Sequence, residues 1–300
     1  MSRVSVLLPF FDAERFLDDA IQSVFGQTWR DWELVMIDDG STDGSRHIAE
    51  CALKRASSQV TILEHAGRRN RGLPASRNLG LSHARGQLIA LIDADDVWER
   101  LKLEQQVALL DQYPDAGWVY GSPMYWHSWT GDPGDRIRDN IPGPGIQTES
   151  VHGPPSLLAQ LYPLGEHPAP CPSDMMFRRE ALTSVGGFEE SFTGTLMMYE
   201  DQALLAKLYL TESVYVSAEP WTRYRVHAGQ MTTVMAPAYH KARRYFLEWL
   251  DGYLRREGVL DPSIDALVRR CLQPYHHPFV WIVTRLLGRL CRTSAAMHRN

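Results

Sequence analysis

The chain is poor in cysteine: among 300 residues only Cys51, Cys171, Cys271 and Cys291 occur, and no two are spaced as CxxC. That scarcity argues against a disulfide framework or a structural zinc site and fits reduced thiols in a cytosolic protein. No apolar run reaches the roughly 20 residues that a membrane-crossing helix requires. The N-terminus enters a strand-like segment at residues 4–8 directly, with no signal-peptide pattern before it. The turn after that segment, Pro9-Phe10-Phe11-Asp12-Ala13-Glu14, contains no glycine. A dinucleotide fingerprint needs glycine there so that the backbone can approach a pyrophosphate, so a dehydrogenase of that kind is excluded. A P-loop is missing too, which argues against NTP hydrolysis. There is no internal repeat and no low-complexity segment.

Hydrophobic content of 44% and charged content of 22% are those of a globular protein large enough to bury a proper core. The net charge is −5, and its sign is unevenly spread. Residues 241–300 hold 11 Lys/Arg against 5 Asp/Glu, whereas the first 240 hold 20 against 31. An acidic body argues against nucleic acid as a partner. The basic tail leaves room for an anionic membrane surface or a lipid-linked substrate.

The first 125 residues alternate strand and helix patterns. Strands are expected at 4–8, 33–37, 60–63 and 88–92, and helices at 16–25, 44–54, 74–84 and 97–112. Such alternation with short connections predicts a mostly parallel α/β sheet flanked by helices, with ligands outside the carboxyl ends of its strands. Residues 131–155, rich in Gly and Pro, read as a long functional loop. Further elements are expected at 174–177 (strand), 179–185 and 200–210 (helices) and 213–216 (strand). Everything beyond Pro237 looks helical, including a basic amphipathic stretch at 277–292 that either packs on the body or lies on a membrane. The domain reading is 1–235 as one α/β domain, in halves at 1–125 and 126–235, and 236–300 as a helical extension.

The densest chemical signal is Leu88-Ile89-Ala90-Leu91-Ile92-Asp93-Ala94-Asp95-Asp96. If the strand runs through this segment, Asp93 and Asp95 point the same way. Two carboxylates about 5 Å apart repel by roughly 3 kcal/mol at an effective dielectric near 20. Water, a helix N-terminus or a cation would relieve that repulsion. Two readings stay open: Asp95 or Asp96 caps the helix expected from Val97, or the cluster binds a divalent metal beside a phosphate-bearing ligand. A second acidic run, Asp38-Asp39-Gly40-Ser41-Thr42-Asp43-Gly44-Ser45, fits a calcium-loop template from Asp39 to Glu50. That template needs a helix on each side, and the upstream segment is a strand by composition. The better reading is a strand-to-helix turn with an exposed Asp39 that accepts hydrogen bonds from a ligand, Asp43 or Ser45 capping the next helix.

Taken in order, these segments resemble the inverting glycosyltransferases of family 2, which have the nucleotide-diphospho-sugar fold called GT-A. The resemblance covers residues 3–233. It rests on Ser5–Pro9 with Phe11 and Asp12, on Gln27-Thr28, on the run from Glu33 to Ser45, and on Asn70-Arg71-Gly72 with Arg77-Asn78-Leu79-Gly80-Leu81. It continues through Asp93-Ala94-Asp95 in place of the family's DxD, Gly186-Gly187-Phe188 followed by Glu200-Asp201, and Tyr224-Arg225-Val226-His227. Phe11 departs from the family's tyrosine, and Ser76 from its alanine.

The resemblance implies an enzyme whose nucleotide-binding half is 1–125 and whose acceptor half is 126–235; the sparse cysteines place it in the cytoplasm, and the basic tail permits peripheral contact at the inner face of a membrane. It would transfer a sugar from a nucleotide-diphospho-sugar, UDP-linked, to a saccharide or lipid-linked saccharide in surface-glycan assembly. Asp39 would bind the base, with Pro9 and Phe11 lining that slot. Asp93 and Ala94 would meet the ribose side of the donor, and Arg77 would lie near the nucleotide. Asp95 and His227 would hold Mn²⁺ or Mg²⁺ on the diphosphate. Asp201 would be the general base, with Glu200 as second choice. Trp126, Trp129 and Trp221 are candidates for stacking on sugars, and residues 191–199 for a segment that orders over bound donor. Two other readings remain: a nucleotidyltransferase, which should carry a basic nucleotide loop where Pro9–Glu14 has none, and a non-catalytic nucleotide-sugar-binding module.

Overall fold

A computed structural model describes residues 2–259 and 261–277. The expected basic amphipathic stretch at 277–292 lies, apart from its first residue, outside the described residues. In chain order the strands and α-helices are β1 (Val4–Phe10), α1 (Leu17–Phe25), β2 (Trp32–Asp38), α2 (Ser45–Arg55), β3 (Val60–Glu64), α3 (Leu73–His83), β4 (Leu88–Leu91), β5 (Val97–Trp98), α4 (Lys102–Gln112) and β6 (Ala116–Tyr120). Next come β7 (Met124–Trp126), β8 (Ser150–His152), β9 (Met176–Arg178), α5 (Arg179–Ser184), α6 (Glu200–Thr211), β10 (Ser213–Val216), β11 (Thr222–Arg225), α7 (Met231–Val234), α8 (Tyr239–Arg256) and α9 (Pro262–His276).

Eight strands form one sheet in the order β3-β2-β1-β4-β9-β6-β10-β8, and β5-β11-β7 form a small second sheet. The first four strands are parallel; β9 runs antiparallel to both β4 and β6, and β8 closes the edge antiparallel to β10. Every residue of β1 and β2 is buried, because helices cover both faces of a parallel sheet and leave no side for polar residues. Pro9 is tolerated in this central strand for a specific reason. Leu7 offers its carbonyl to Ile92 on the β4 side, and Pro9, two residues on, faces that same side beyond Leu91, where β4 has ended. Its missing N–H therefore breaks no ladder bond.

One glycine on α3 sets how deeply that helix is buried. A Cβ at Gly80 would meet Ile37 Cδ1 at 2.8 Å and Leu7 Cδ2 at 3.2 Å, so this face of α3 lies directly on the sheet. Arg77 is three residues earlier, on the same face, and is consequently buried at 1% exposure. The helix α8 also joins the main core: Ala242, Phe246, Leu247, Leu250 and Leu254 pack in one cluster with Leu204, Leu208 and other residues of α6.

The structure corrects four expectations. The helix after the acidic cluster begins at Lys102, because Val97 and Trp98 pair with Arg223 and Thr222 as strand β5. Its N-cap is Leu101, with no side-chain cap, so Asp95 and Asp96 cap nothing. Strand β4 ends at Leu91, and Asp96 N–H donates to the Asp93 carbonyl at 3.1 Å. Residues 93–96 are therefore a turn, and strand alternation does not set the direction of Asp93 and Asp95. The strand expected at 174–177 is β9 at Met176–Arg178, while Asp174 belongs to a short 3₁₀ turn at Pro172–Asp174. The stretch 131–155 is not all loop, since it contains a 3₁₀ segment at Pro133–Arg138 and the edge strand β8.

Gly40, just past β2, has φ +87°, and a Cβ there would lie 2.7 Å from Arg68 O and 3.0 Å from Asn70 N. Both neighbours are backbone, so neither can yield cheaply. Gly40→Ala is expected to destabilise the protein by roughly 2 kcal/mol or more, from left-handed strain plus overpacking. Urea unfolding reads this directly; an unchanged midpoint would mean that the 66–72 loop does not rest on the end of β2.

Candidate active site

The carboxyl ends of β2 and β4 flank β1 on one edge of the sheet, which brings both acidic runs to the same side. At the β2 end, Asp38 is fully buried and accepts from Ser41 N–H at 2.8 Å, with Arg46 and Arg68 each 3.6 Å from its other oxygen. Asp39 is not exposed, contrary to expectation: it is 4% accessible, and its two oxygens accept the backbone N–H groups of Arg71 at 2.7 Å and Gly72 at 2.9 Å. The loop before α3 folds over it and covers it. Phe11 stands beside this end, 48% exposed, and Pro9 is buried in β1.

At the β4 end, the turn 93–96 is fastened by two residues from distant parts of the chain. Ser173 Oγ accepts from Asp93 N–H at 3.0 Å and donates to Asp96 Oδ2 at 2.6 Å. Arg225 N–H donates to Asp96 Oδ1 at 3.0 Å, and its Nε donates to the Asp95 carbonyl at 2.7 Å. The Arg225 guanidinium lies 4.6 Å from the ring centres of Phe16 and Trp126, a cation–π arrangement. Burial, then the nearby Asp95 and Asp93, push the Asp96 carboxyl well above its ordinary range. Asp93 and Asp95 are partly exposed, as is Ala94 between them. His227 Nε2 sits 3.1 Å from Asp95 Oδ2, its ring against Phe16 at 4.8 Å.

The buried Arg77 then ties this turn to α6. It donates through Nη2 to Asp93 Oδ1 at 2.6 Å and through Nη1 to Glu200 Oε1. Glu200 and Asp201 occupy the first turn of α6, where the helix dipole favours negative charge. Asp201 Oδ1 accepts Gln202 N–H at 2.7 Å. Burial pushes Asp201 up to about 6, against the pull of that hydrogen bond. Burial pushes Glu200 up to about 7, with Arg77 opposing. Arg77 Nε and Glu200 Oε2 are buried without a partner. One guanidinium therefore serves Asp93 and Glu200 with Asp201 adjoining, and negative charge exceeds positive.

Among the described residues no group of three or more His, Cys, Asp or Glu is arranged to hold a metal. Asp95 and His227 offer two donors, a carboxylate oxygen and an imidazole nitrogen. That set suits an ion whose other ligands come from a phosphate-bearing ligand and water rather than a caged structural ion. Of the three candidate tryptophans only Trp221 is buried, and Trp126 and Trp129 are half-buried. Trp221 is 2% exposed and donates to Gln105, Trp129 donates to the Val226 carbonyl, and Trp126 supports Arg225. Residues 191–199 already carry a 3₁₀ segment, Gly194–Tyr199. Ser173 and the role of Arg225 had no local sequence signal, since Ser173 meets Asp96 across 77 residues and Arg225 meets Asp95 across 130.

Comparison with known proteins agrees with this architecture. Two solved structures share the fold: S. aureus TarS 1-349 in complex with UDP (TM-score 0.61, 18% identity, covering 91% of this chain and 71% of that one) and the mannosyltransferase PcManGT from Pyrobaculum calidifontis in complex with GDP-Man and Mn²⁺ (0.62, 19%, 98% and 76%). The fold is that of the GT-A glycosyltransferases. Residues 5–186 match the family model of glycosyl transferase family 2, and the chain belongs to that family. Curated relatives include the putative glycosyltransferase EpsE of Bacillus subtilis, 35% identical over 163 residues (53% of this chain, 58% of EpsE). Another is WfgD of Escherichia coli, a UDP-Glc:alpha-D-GlcNAc-diphosphoundecaprenol beta-1,3-glucosyltransferase, 36% identical over 109 residues (36% of this chain, 40% of WfgD). This chain thus spans about half the length of the relatives it matches. No helix among the described residues is long and apolar enough to cross a membrane.

Removing the Arg77 charge would leave two buried or half-buried carboxylates facing each other. Arg77→Met is expected to cost ~3–5 kcal/mol, the usual penalty for breaking a buried ion pair, and Arg77→Lys should recover only part, since an ammonium cannot reach both acceptors in the guanidinium's fork geometry. Urea unfolding of both variants checks this. A loss under about 1 kcal/mol for Arg77→Met would show that the bridge does not form.

Proposed function

We propose that this glycosyltransferase moves a sugar from a nucleotide-diphospho-sugar, UDP-linked, to a hydroxyl of a saccharide or lipid-linked saccharide in surface-glycan assembly, inverting the anomeric centre. The observation that carries the reading is the Arg77 bridge, which sets the donor-side turn Asp93–Asp96 against the carboxylates that open α6. A donor held at the sheet edge would lie between the two. In this reading Asp39, Pro9 and Phe11 serve the base. Asp39 does so with the lone pairs left over from its two backbone contacts, since each carboxylate oxygen accepts more than one hydrogen bond. Asp93 and Ala94 face the ribose and diphosphate, and Asp95 with His227 would hold Mn²⁺ or Mg²⁺. That ion would offset charge growing on the departing diphosphate.

Asp201 is the general base. Its carboxylate takes the proton of the acceptor hydroxyl as that oxygen bonds to the anomeric carbon, and the C–O bond to the diphosphate breaks on the opposite face with its electron pair. Burial makes Asp201 a stronger base than an exposed aspartate while leaving it ionised at neutral pH. Arg77 acts by position, opposing the rise that burial imposes on Glu200 and holding that side chain beside Asp201. The name of WfgD gives it a GlcNAc-diphosphoundecaprenol acceptor, which supports a lipid-linked saccharide as the acceptor class. Partners expected beyond the donor and acceptor are an anionic membrane surface at the basic end of the chain and no nucleic acid.

Hydrolysis of UDP-glucose, UDP-N-acetylglucosamine, GDP-mannose and dTDP-glucose with Mn²⁺ is the direct assay. At least one UDP-sugar should be turned over, and activity should vanish with EDTA. Silence across the panel with tight UDP binding would turn the protein into a binding module. Asp201→Asn should lose on the order of 10²–10⁴-fold in kcat with UDP affinity kept; activity within a few fold of the parent removes the assignment. The acid limb gives an independent check. A base raised to about 6 must lose its proton to work, so kcat should fall about tenfold per pH unit below about 6 and level off above it. A plateau extending down to pH 4.5 would point to another group.

A further inference from the structure

The helix α8 follows the glycosyltransferase body and lies beyond the stretch 5–186 matched by the family model, as does α6. Its packing ties it to the residues that immediately precede Glu200 and Asp201. The segment 192–199 is anchored on α8 at both ends. Phe192 is fully buried, edge-on to Tyr245 at 5.2 Å and to Trp249 at 5.5 Å. Tyr199 is also fully buried and stacks on Phe246 at 5.4 Å with an interplanar angle of 27°. Between those anchors the segment reaches the donor side, since a Cβ at Gly72 would lie 3.1 Å from Met197 Sδ. Gly72 is also the residue whose N–H holds Asp39.

Three hydroxyls complete the join. Tyr162 and Tyr199 are hydrogen-bonded oxygen to oxygen, and Tyr162 Oη donates to Tyr239 Oη of α8 at 3.4 Å. Arg243, one turn along α8, donates to the Pro163 carbonyl at 3.2 Å. Burial pushes the Tyr162 and Tyr199 hydroxyls up from their ordinary range, so both stay protonated as hydrogen-bonding groups. Phenylalanine would fill the same apolar space at all three positions. What the hydroxyls add is direction, because a hydrogen-bonded chain that ends on the fully buried Tyr199 favours the arrangement that satisfies it.

We propose that Tyr239, Tyr162 and Tyr199 form a clamp through which α8 positions the α6 carboxylates, making the helical extension part of the machinery of transfer. The inference rests on the reading of Asp201 as the base. These tyrosines are positioning residues, since none is placed against the reacting atoms. A displacement of about 1 Å at a reacting group can cost 10²-fold in rate, so a loosened clamp reads out in kcat while the donor still binds through the opposite wall.

Two measurements on the full chain test it. In hydrogen exchange, Tyr162→Phe and Tyr239→Phe should speed exchange of the 192–200 amides severalfold and leave β1, β2 and β4 as they were. In turnover of the fastest donor of the panel with Mn²⁺, Tyr162→Phe should lower kcat about tenfold with donor KM, UDP affinity and melting temperature close to the parent's. Placed on Asp201→Asn, Tyr162→Phe should add no further loss, because the group it positions is gone. Parental exchange at 192–200 overturns the clamp. So does unchanged kcat despite faster exchange, an additive loss in the double variant, or a fall in UDP affinity that matches the fall in kcat. A wrong base assignment shows separately, as an active Asp201→Asn single variant.

Discussion

A single buried guanidinium holds the two walls of the site together. Arg77 can be buried at all because Gly80, one turn later on α3, lets that helix face lie on Leu7 and Ile37. Once inside, the cation requires counter-charge, and it finds one carboxylate from each side: Asp93 just past β4 and Glu200 at the start of α6. The pairing is mutual, since each of these groups would be costly to bury alone. A guanidinium suits this task better than an ammonium because its planar fork presents separate N–H donors to two acceptors at once. The position of the 93–96 turn relative to the start of α6 is thereby tied to this shared cation.

The rest of the site repeats this logic with neutral groups. The turn 93–96 concentrates carboxylates that repel one another, and Ser173 and Arg225 hold it in place by satisfying Asp96 and the local backbone. Arg225 is itself held between Phe16 and Trp126 and paired to Asp19 at 2.9 Å. Asp95 is left as the partly exposed member, with His227 against it. The rigid contacts are concentrated on Asp96, and the Asp95 carboxylate stays partly exposed. The same division appears at β2, where Asp38 faces inward and Asp39 anchors the loop that closes over it.

Much of this was legible in the chain because its information is local. The continuous apolar runs of β1, β2 and β4 announce strands buried on both faces, and helical spacing between them announces a parallel sheet. The carboxyl-end rule then places both acidic runs on one edge before any coordinates exist. The misreadings share one cause. Asp39 reads as exposed because a turn after a strand usually is, yet residues 66–72 return to cover it. Val97-Trp98 reads as the start of a helix because its strand partner, Thr222-Arg223, lies more than a hundred residues away. Strand β8, three residues long within a Gly- and Pro-rich stretch, is too short for any period to show and exists only because β10 offers an edge.

What the sequence determined by itself is the fold class and the catalogue of chemistry: an α/β sheet, two acidic runs at its carboxyl edge, an acidic pair opening α6 and an aromatic-basic run ending in His227. Apolar periodicity and motif order are properties of contiguous residues, and contiguous residues carry them without help. Which carboxylate is buried and which stays partly exposed, which cation joins which pair, and that α8 reaches the segment before Asp201 were decided only by tertiary structure. Those assignments depend on burial and on partners as far as 130 residues apart, and neither quantity exists until the chain has folded.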